Sequence, residues 1–240
     1  MCSSDLKLAR CQASENDVDA ANISYRRAMS LWSGRFPADE DRVTLIEKDR
    51  LDSFIDLPDA NRAEAEFRAA ISAAQSANDA RRTGFGLSAY ASLLQKQSRL
   101  EEAIAIERMS VRALDKAGRV AVKDALIERT ALANILAETG QFGEAEKIAG
   151  EAMAALETLP KSKRQTGDEE DEGDDDSAEV SDERFVARFT LAYVLRQKGD
   201  LENALLLAEQ LRSDPEARQD DELGNMYGGI LLRQGKIEDA

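Results

Sequence analysis

Apolar and polar positions along this chain follow the helical period, not the two-residue alternation of strands. The stretch ALIERTALANILAETG is representative: Leu126, Leu132, Ile135 and Leu136 recur at helical spacing with polar residues between them. The run stops at Gly140 and a second amphipathic run follows almost at once. The join has a pattern of its own, a glycine, then an apolar residue two positions on and an alanine three further. It stands in AETGQFGEA (Gly140, Phe142, Ala145), in QKGDLENA (Gly199, Leu201, Ala204) and in GKIEDA (Gly235, Ile237, Ala240). QKQSRLEEA carries Ser98 in the glycine slot before Leu100 and Ala103. DLPDANRA offers Pro58, Ala60 and Ala63, and ASENDVDAA offers Asn16, Val18 and Ala21. The alanines are spaced 42, 40, 42, 59 and 36 residues apart, close to one period but for a single long interval.

Each copy has a physical reading. A glycine just past a helix takes the left-handed conformation that ends it at little cost. The apolar residue after it tucks under the turn, and the alanine lies on the first turn of the next helix, where two helices cross too closely for a larger side chain. Small residues return seven positions later at Ala28, Ala70, Ser110 and Ala152, on the same packing face. Pro37, Pro58, Pro160 and Pro215 all fall at predicted turns or after a helix. The unit is a helix–turn–helix pair, stacked in series. The expected fold is all-α, a right-handed α-solenoid of about five and a half such repeats.

These residues resemble the tetratricopeptide (TPR) repeats, whose basic unit is a helix pair of about 34 residues. The resemblance covers nearly the whole chain except the segment from Pro160 to Arg184, and Ala91, Ala133, Ala192 and Gly228 fill the small slot of the first helix. The chain departs from the pattern in lacking aromatic residues at the usual bulky positions. Its longer period implies helices extended by roughly a turn each. In this it is similar to the kinesin-light-chain-like subgroup and to many bacterial regulatory and scaffold proteins.

Charge changes the picture in one place. Residues 168–183, DEEDEGDDDSAEVSDE, hold eleven acids and no base, and removing them leaves 32 basic against 36 acidic residues, so the net charge of −15 becomes −4. This run accounts for the long interval and reads as a disordered insertion over 160–183, because like charges at that density cannot offset the entropy of ordering. Lys161, Lys163 and Arg164 precede it as a basic cluster available for transient pairing. Asp168, Glu170, Glu172, Gly173, Asp174, Asp176 and Glu179 fall in register with a calcium-loop template. Two of the ligand glutamates are too long, however, and Asp175 stands where an aliphatic residue is needed. Loose association with divalent ions is the expectation there, not a built site. The rest of the chain has no basic stripe for nucleic acid. No run of apolar residues is long enough to span a membrane.

The chain has no histidine and only two cysteines, Cys2 and Cys11. No nucleophile elbow, phosphate loop or metal-ligand spacing is present. The TGFG stretch at 83–86 sits at a helix start and falls far short of a nucleotide fingerprint. The reading is a non-catalytic chain with no cofactor and no metal, whose function lies in binding another protein or peptide.

In the TPR family the first helix of each pair lines a concave groove in which partner peptides lie. What the resemblance implies for this chain is a groove of Ser88, Ser92, Gln95 and Lys96, then Thr130, Asn134 and Glu138, then Phe189, Tyr193, Arg196 and Gln197. Asn225, Gly229 and Arg233 continue it. Phe189 and Tyr193 stand either as an aromatic anchor for a partner or as packing against a neighbouring helix. Some members clamp a chaperone carboxyl terminus with lysines and asparagines. Asn134 occupies one clamp position, but the companion lysine position holds Thr130 and the remaining partners are missing, so that activity is not expected. The implied function is an interaction scaffold. The alternative is a regulatory or sensor array attached to a catalytic or DNA-binding domain outside this chain.

Both ends carry their own expectations. MCSSDL has neither the charge nor the apolar core of a signal peptide. It resembles the translation of a sequencing-adapter end, which makes residues 1–6 non-native. The rivals are a lipoprotein start, with Cys2 carrying lipid, and a true initiator. A cytoplasmic location is favoured over the lipoprotein. The expected organisation is repeats one to four over 7–159, the insertion, and then a fifth repeat and a truncated sixth over 184–240. The sixth lacks its second helix, so its first is expected to fray and to present Met226, Tyr227, Ile230 and Leu231 as an uncapped apolar face open to self-association.

Overall fold

In a computed structural model the described residues are 2–158, 183–213 and 221–236, and all regular structure among them is helical. The acidic run up to Asp182, with its calcium-template positions, and Ile237 and Ala240 lie outside the described residues. The helices are α1 (Cys2–Ser14), α2 (Val18–Arg35), α3 (Glu40–Asp52), α4 (Ala60–Ser76), α5 (Ala80–Lys96), α6 (Leu100–Ala117), α7 (Val122–Glu138), α8 (Phe142–Thr158), α9 (Glu183–Lys198), α10 (Leu201–Arg212) and α11 (Asp221–Arg233). A short 3₁₀ turn, Gly118–Ala121, follows α6. The chain divides into two compact units, one ending at Val122 and the other comprising the described residues from Lys123 onward.

In the first unit α1 packs on α2, α2 on α3, α3 and α4 on α5, and α5 on α6. In the second, α8 packs on α9, α9 on α10, and both α9 and α10 on α11. Within each unit a first helix therefore touches the next first helix (α3 with α5, α9 with α11), and a second helix touches the first helix that follows it. This neighbour-only packing is that of helix hairpins stacked in series, the all-α solenoid expected from the repeats.

The turns explain why the hairpins form where they do. Asn16, Ser98, Gly140, Gly199 and Gly235 all have positive φ, between 60° and 94°. At each the chain closes two bonds back onto the ending helix. Gly140 N–H, for example, donates to the carbonyl of Ala137 at 3.1 Å, and Gln141 N–H to that of Leu136 at 2.9 Å. This is the double bond pattern of a left-handed helix stop, which satisfies carbonyls the helix itself leaves unpaired. At Asp17 and Asp200 the residue after the stop also caps the next helix, its carboxylate accepting from Ala20 N–H at 3.1 Å and from Asn203 N–H at 3.3 Å.

Two turns differ from the sequence pattern. Proline cannot take positive φ, and Pro58 has no helix-stopping role. Instead the chain runs from Ser53 through a wider turn that buries Phe54 and Leu57, and Asp59 then caps α4. Asn78, between α4 and α5, has φ 54° and forms the same stop as the glycines, with Asp79 capping α5. The sequence pattern was aligned only on joins within hairpins, so this join between hairpins went unread.

The slot alanines behave as a close crossing requires: Ala21, Ala63, Ala103, Ala145 and Ala204 are all fully buried. Ala28, Ser110 and Ala152 are fully buried as well, while Ala70 is half-buried. Phe142, Leu100 and Leu201, expected beneath the turns, are half-buried.

The apolar face expected to be open on α11 is covered. Leu223, Met226, Ile230 and Leu231 are buried, and Leu223, Met226 and Ile230 form one core with Ala192, Leu195, Ala204, Ala208 and Leu211 of α9 and α10. Tyr227 is half-buried against the same core. A first helix needs no second helix of its own to bury this face, because the preceding hairpin covers it. The apolar residue left exposed on α11 is Leu232, so the face on which self-association was argued is not open.

Candidate functional site

The expected groove residues fall on first helices of both units. On α5 in the first unit, Ser88, Ser92 and Gln95 are half-buried and Lys96 is exposed, its ammonium paired with Asp56. The first helices of this unit are tied together by similar pairs, Arg10 with Asp49 at 3.0 Å and Arg81 with Asp41. Much of the charge on that face is thus consumed within the fold.

In the second unit Thr130 of α7 is buried and donates its hydroxyl to the carbonyl of Leu126 at 3.1 Å, so it adds nothing to an open surface. Asn134, one turn on, donates from Nδ2 to Thr190 Oγ1 of α9 at 3.3 Å. Glu138 is exposed at the end of α7. Asn134 therefore ties two first helices together, and Thr190 is the partner that sequence reasoning had not singled out.

The residues brought together most closely are those of α9 and α11. Phe185, Phe189 and Tyr193 follow one another at four-residue spacing on α9, half-buried, with Phe185 and Phe189 stacked at 6.0 Å between ring centres. All three also pack against the α9–α11 core, so their buried sides serve the fold and their open sides form a wall. Phe185 was missed, although its position one turn before Phe189 was the available signal. The Arg196 guanidinium sits 5.6 Å from the Tyr193 ring, in cation–π range, and its Nε is buried without a hydrogen-bond acceptor. Arg233 of α11 donates from Nη1 to the carbonyl of Arg196 at 2.9 Å. Gly229 makes room between them, since a Cβ there would lie 3.0 Å from Arg196 Nη1. Arg188 and Lys198, the cations on either side of Arg196 along α9, have carboxylate partners in Glu157 and Glu146. Arg196 and Arg233 have none among the described residues. Gln197 is half-buried beside Arg196, and Asn225 is exposed on α11.

Chemically this arrangement can hold and orient a ligand: aromatic faces, guanidinium donors and an amide. No group of three or more histidine, cysteine or acidic side chains able to hold a metal occurs among the described residues, and no described helix is long and apolar enough to cross a membrane.

No protein-family model and no curated protein sequence matches the chain. Solved structures do resemble it. BtubC (BKLC) from P. vanneervenii superposes with a TM-score of 0.66 at 17% identity, over 98% of this chain and 86% of that one. A putative kinesin light chain from Podosopora anserina with nearly identical TPR-like repeats superposes with a TM-score of 0.57 at 15% identity, over 92% of this chain and 99% of that one. At such identities the likeness is one of fold, and the fold of this chain is that of the TPR-like helix-hairpin repeats.

Proposed function

We propose that this chain is a non-catalytic interaction module that takes a peptide or protein segment along its first-helix surface, with the α9–α11 wall as its principal anchor. The observation that carries the reading is the pair of arginines. Arg233 donates to the backbone of Arg196 beside the open faces of Phe189 and Tyr193, and neither guanidinium has a carboxylate partner among the described residues. Several other cations, among them Arg50, Arg99 and Lys198, are paired with carboxylates. Partly buried aromatics beside arginine are also the composition of binding hot spots. The TPR-like fold supports a protein or peptide as the partner.

Photo-crosslinking tests this. A benzophenone side chain at position 197 on α9 is compared with one at 206 on α10, where Leu206 is exposed on a second helix. Peptides tiled from the crosslinked protein are then measured against wild type and Y193A/R196A. The reading requires preferential capture at 197 and at least a tenfold loss of peptide affinity in the variant. Equal capture at both positions, or unchanged affinity, overturns it.

A further inference from the structure

The second-helix side of the first unit carries a groove that the first-helix reading leaves unused. Between α4 and α6, over α5, lie two adjoining hollows of about 480 and 360 Å³ that share Gln75 and Leu87. The walls are mainly apolar: Ile71 of α4 and Ile106 of α6 line the larger hollow, and Met109 and Ala113 of α6 line the smaller. Positions 106, 109 and 113 of α6 form a continuous helical stripe. Met109, an apolar side chain in the middle of that stripe, is 41% exposed.

The ends of the groove differ in charge. At one end Glu102 is held by Arg99 at 2.7 Å, and Arg68 by Glu64 at 2.6 Å. At the other end Arg112 and Lys116, four residues apart on α6, are exposed and have no carboxylate partner among the described residues. Asp79, the acid nearest them in the lining, is already engaged, capping Arg82 N–H at 3.0 Å and pairing with the Arg82 side chain at 3.3 Å. In a chain of net charge −15, one end of an apolar groove thus carries two cations without a carboxylate partner among the described residues.

We propose that this groove docks an acidic amphipathic segment of a partner protein. The apolar face of the segment enters the two hollows, and carboxylates at one end of the segment meet Arg112 and Lys116. Charge complementarity selects this occupant. The apolar stripe accepts any aliphatic side chain, whereas two adjacent cations favour an acid and disfavour a base. The hollows are each in the size range of a small binding cleft, which suits an inserted segment and not a flat protein face. The site lies wholly in the first unit and does not depend on the α9–α11 wall.

The test uses the full chain labelled with ¹³C at the methionine methyls. The probe is a synthetic twelve-residue helical peptide carrying two leucines four positions apart with glutamates at one end, and its control is a twin with lysines replacing those glutamates. The glutamate peptide is expected to move the Met109 methyl signal and to bind at least tenfold more tightly than the lysine twin. R112E/K116E is expected to reverse that preference, and R112Q/K116Q to abolish it, so a folding failure of one variant leaves the other. Several results overturn the proposal: a Met109 signal unmoved at millimolar peptide, equal binding of the two peptides, or an unchanged preference in the variants. Concentration-dependent movement of Met109 without peptide, with dimer in sedimentation, also overturns it by making a second copy of this chain the occupant.

Discussion

Ser110 of α6 donates its hydroxyl to the backbone carbonyl of Gly84 on α5 at 3.0 Å, fully buried at the point where the two helices of the third hairpin cross. A helix carbonyl accepts this extra bond only because no side chain stands between. A Cβ added at Gly84 would lie 2.6 Å from the Leu114 side chain, and one at Gly86 would lie 2.8 Å from Ile71 of α4. Gly84 and Gly86 thus let α5 sink between its neighbours. Overpacking of this kind costs about 1–3 kcal/mol, against about 1 kcal/mol gained in helix propensity by replacing glycine with alanine. Gly84→Val is expected to lower Tm by several degrees. Gly84→Ala in a Leu114→Ala background is expected to be less destabilising than in wild type, since the obstructing side chain is gone. Ser110→Ala removes one buried hydrogen bond, for a loss of about 1 kcal/mol by denaturant unfolding.

The helix stops make a signed prediction. Ser98 holds φ 60° without being glycine, whereas Gly140 holds φ 78° with open space around it. Ser98→Gly relieves the left-handed penalty and is expected to stabilise by about 0.5–1 kcal/mol, while Gly140→Ala is expected to destabilise by about 1 kcal/mol. Urea unfolding of the two variants side by side checks both signs. A destabilising Ser98→Gly would contradict the account of the turn.

Arg50 is a buried cation that holds three helices together. It pairs with Glu47 through Nε at 3.0 Å and Nη2 at 2.8 Å, reaches Glu66 of α4 at 3.3 Å and donates to Asn22 of α2 at 2.8 Å. Removing one partner of a buried ionic network strands the others, at a cost of about 3–5 kcal/mol. Arg50→Ala is therefore expected to unfold the first unit at markedly lower urea, and Arg50→Lys to fall between it and wild type because an ammonium cannot reproduce the two-pronged bond to Glu47. Equal stability of Arg50→Ala and wild type would show the network to be energetically idle.

Tyr25 of α2 predicts an alkaline limit. Burial, with a contribution from the nearby Asp49 carboxylate, pushes its phenol up to about 12 from an ordinary value near 10. The folded state thus holds the proton more tightly than the unfolded state. The resulting stability is fully present below pH of about 10 and is lost as the pH rises toward about 12, to at most about 3 kcal/mol. Tyr25→Phe, which cannot ionise, should flatten that part of the pH–stability curve. The comparison is made by thermal unfolding between pH 8 and roughly 11.5.

The packing of α11 predicts slow exchange for the amides of residues 226–231. Met226, Ile230 and Leu231 are buried, and Met226 and Ile230 share a core with α9 and α10. Hydrogen exchange should give these amides protection near that of the α10 amides. Exchange as fast as in a peptide would restore the frayed helix that the sequence alone suggested.

Much of the architecture was legible because its determinants are local. A left-handed residue, a capping aspartate and an alanine one turn into the next helix lie within seven positions of one another, so the sequence shows the whole motif. The same locality misled at Pro58, where the glycine slot of the join pattern holds a residue whose ring forbids the conformation. Asn78 forms the same stop at a join between hairpins, outside that pattern. The candidate site was legible in part. Phe189, Tyr193, Arg196 and Arg233 are close together on α9 and α11, whereas Thr130 is turned inward and Asn134 spends its amide on Thr190.

By itself, then, the sequence determined that this chain is a series of helix hairpins with small residues at the crossings, because helix period, helix stops and steric room are properties of a few neighbouring residues. The tertiary structure alone decided which faces those helices cover. The rotation of each helix against its neighbours buried the α11 face that looked exposed and made glycines 84 and 86 a crossing point. It also left Arg196, Arg233, Arg112 and Lys116 as cations without carboxylate partners among the described residues. Whether a side chain meets a partner, a core or solvent depends on residues far away in the chain, and no local pattern encodes that.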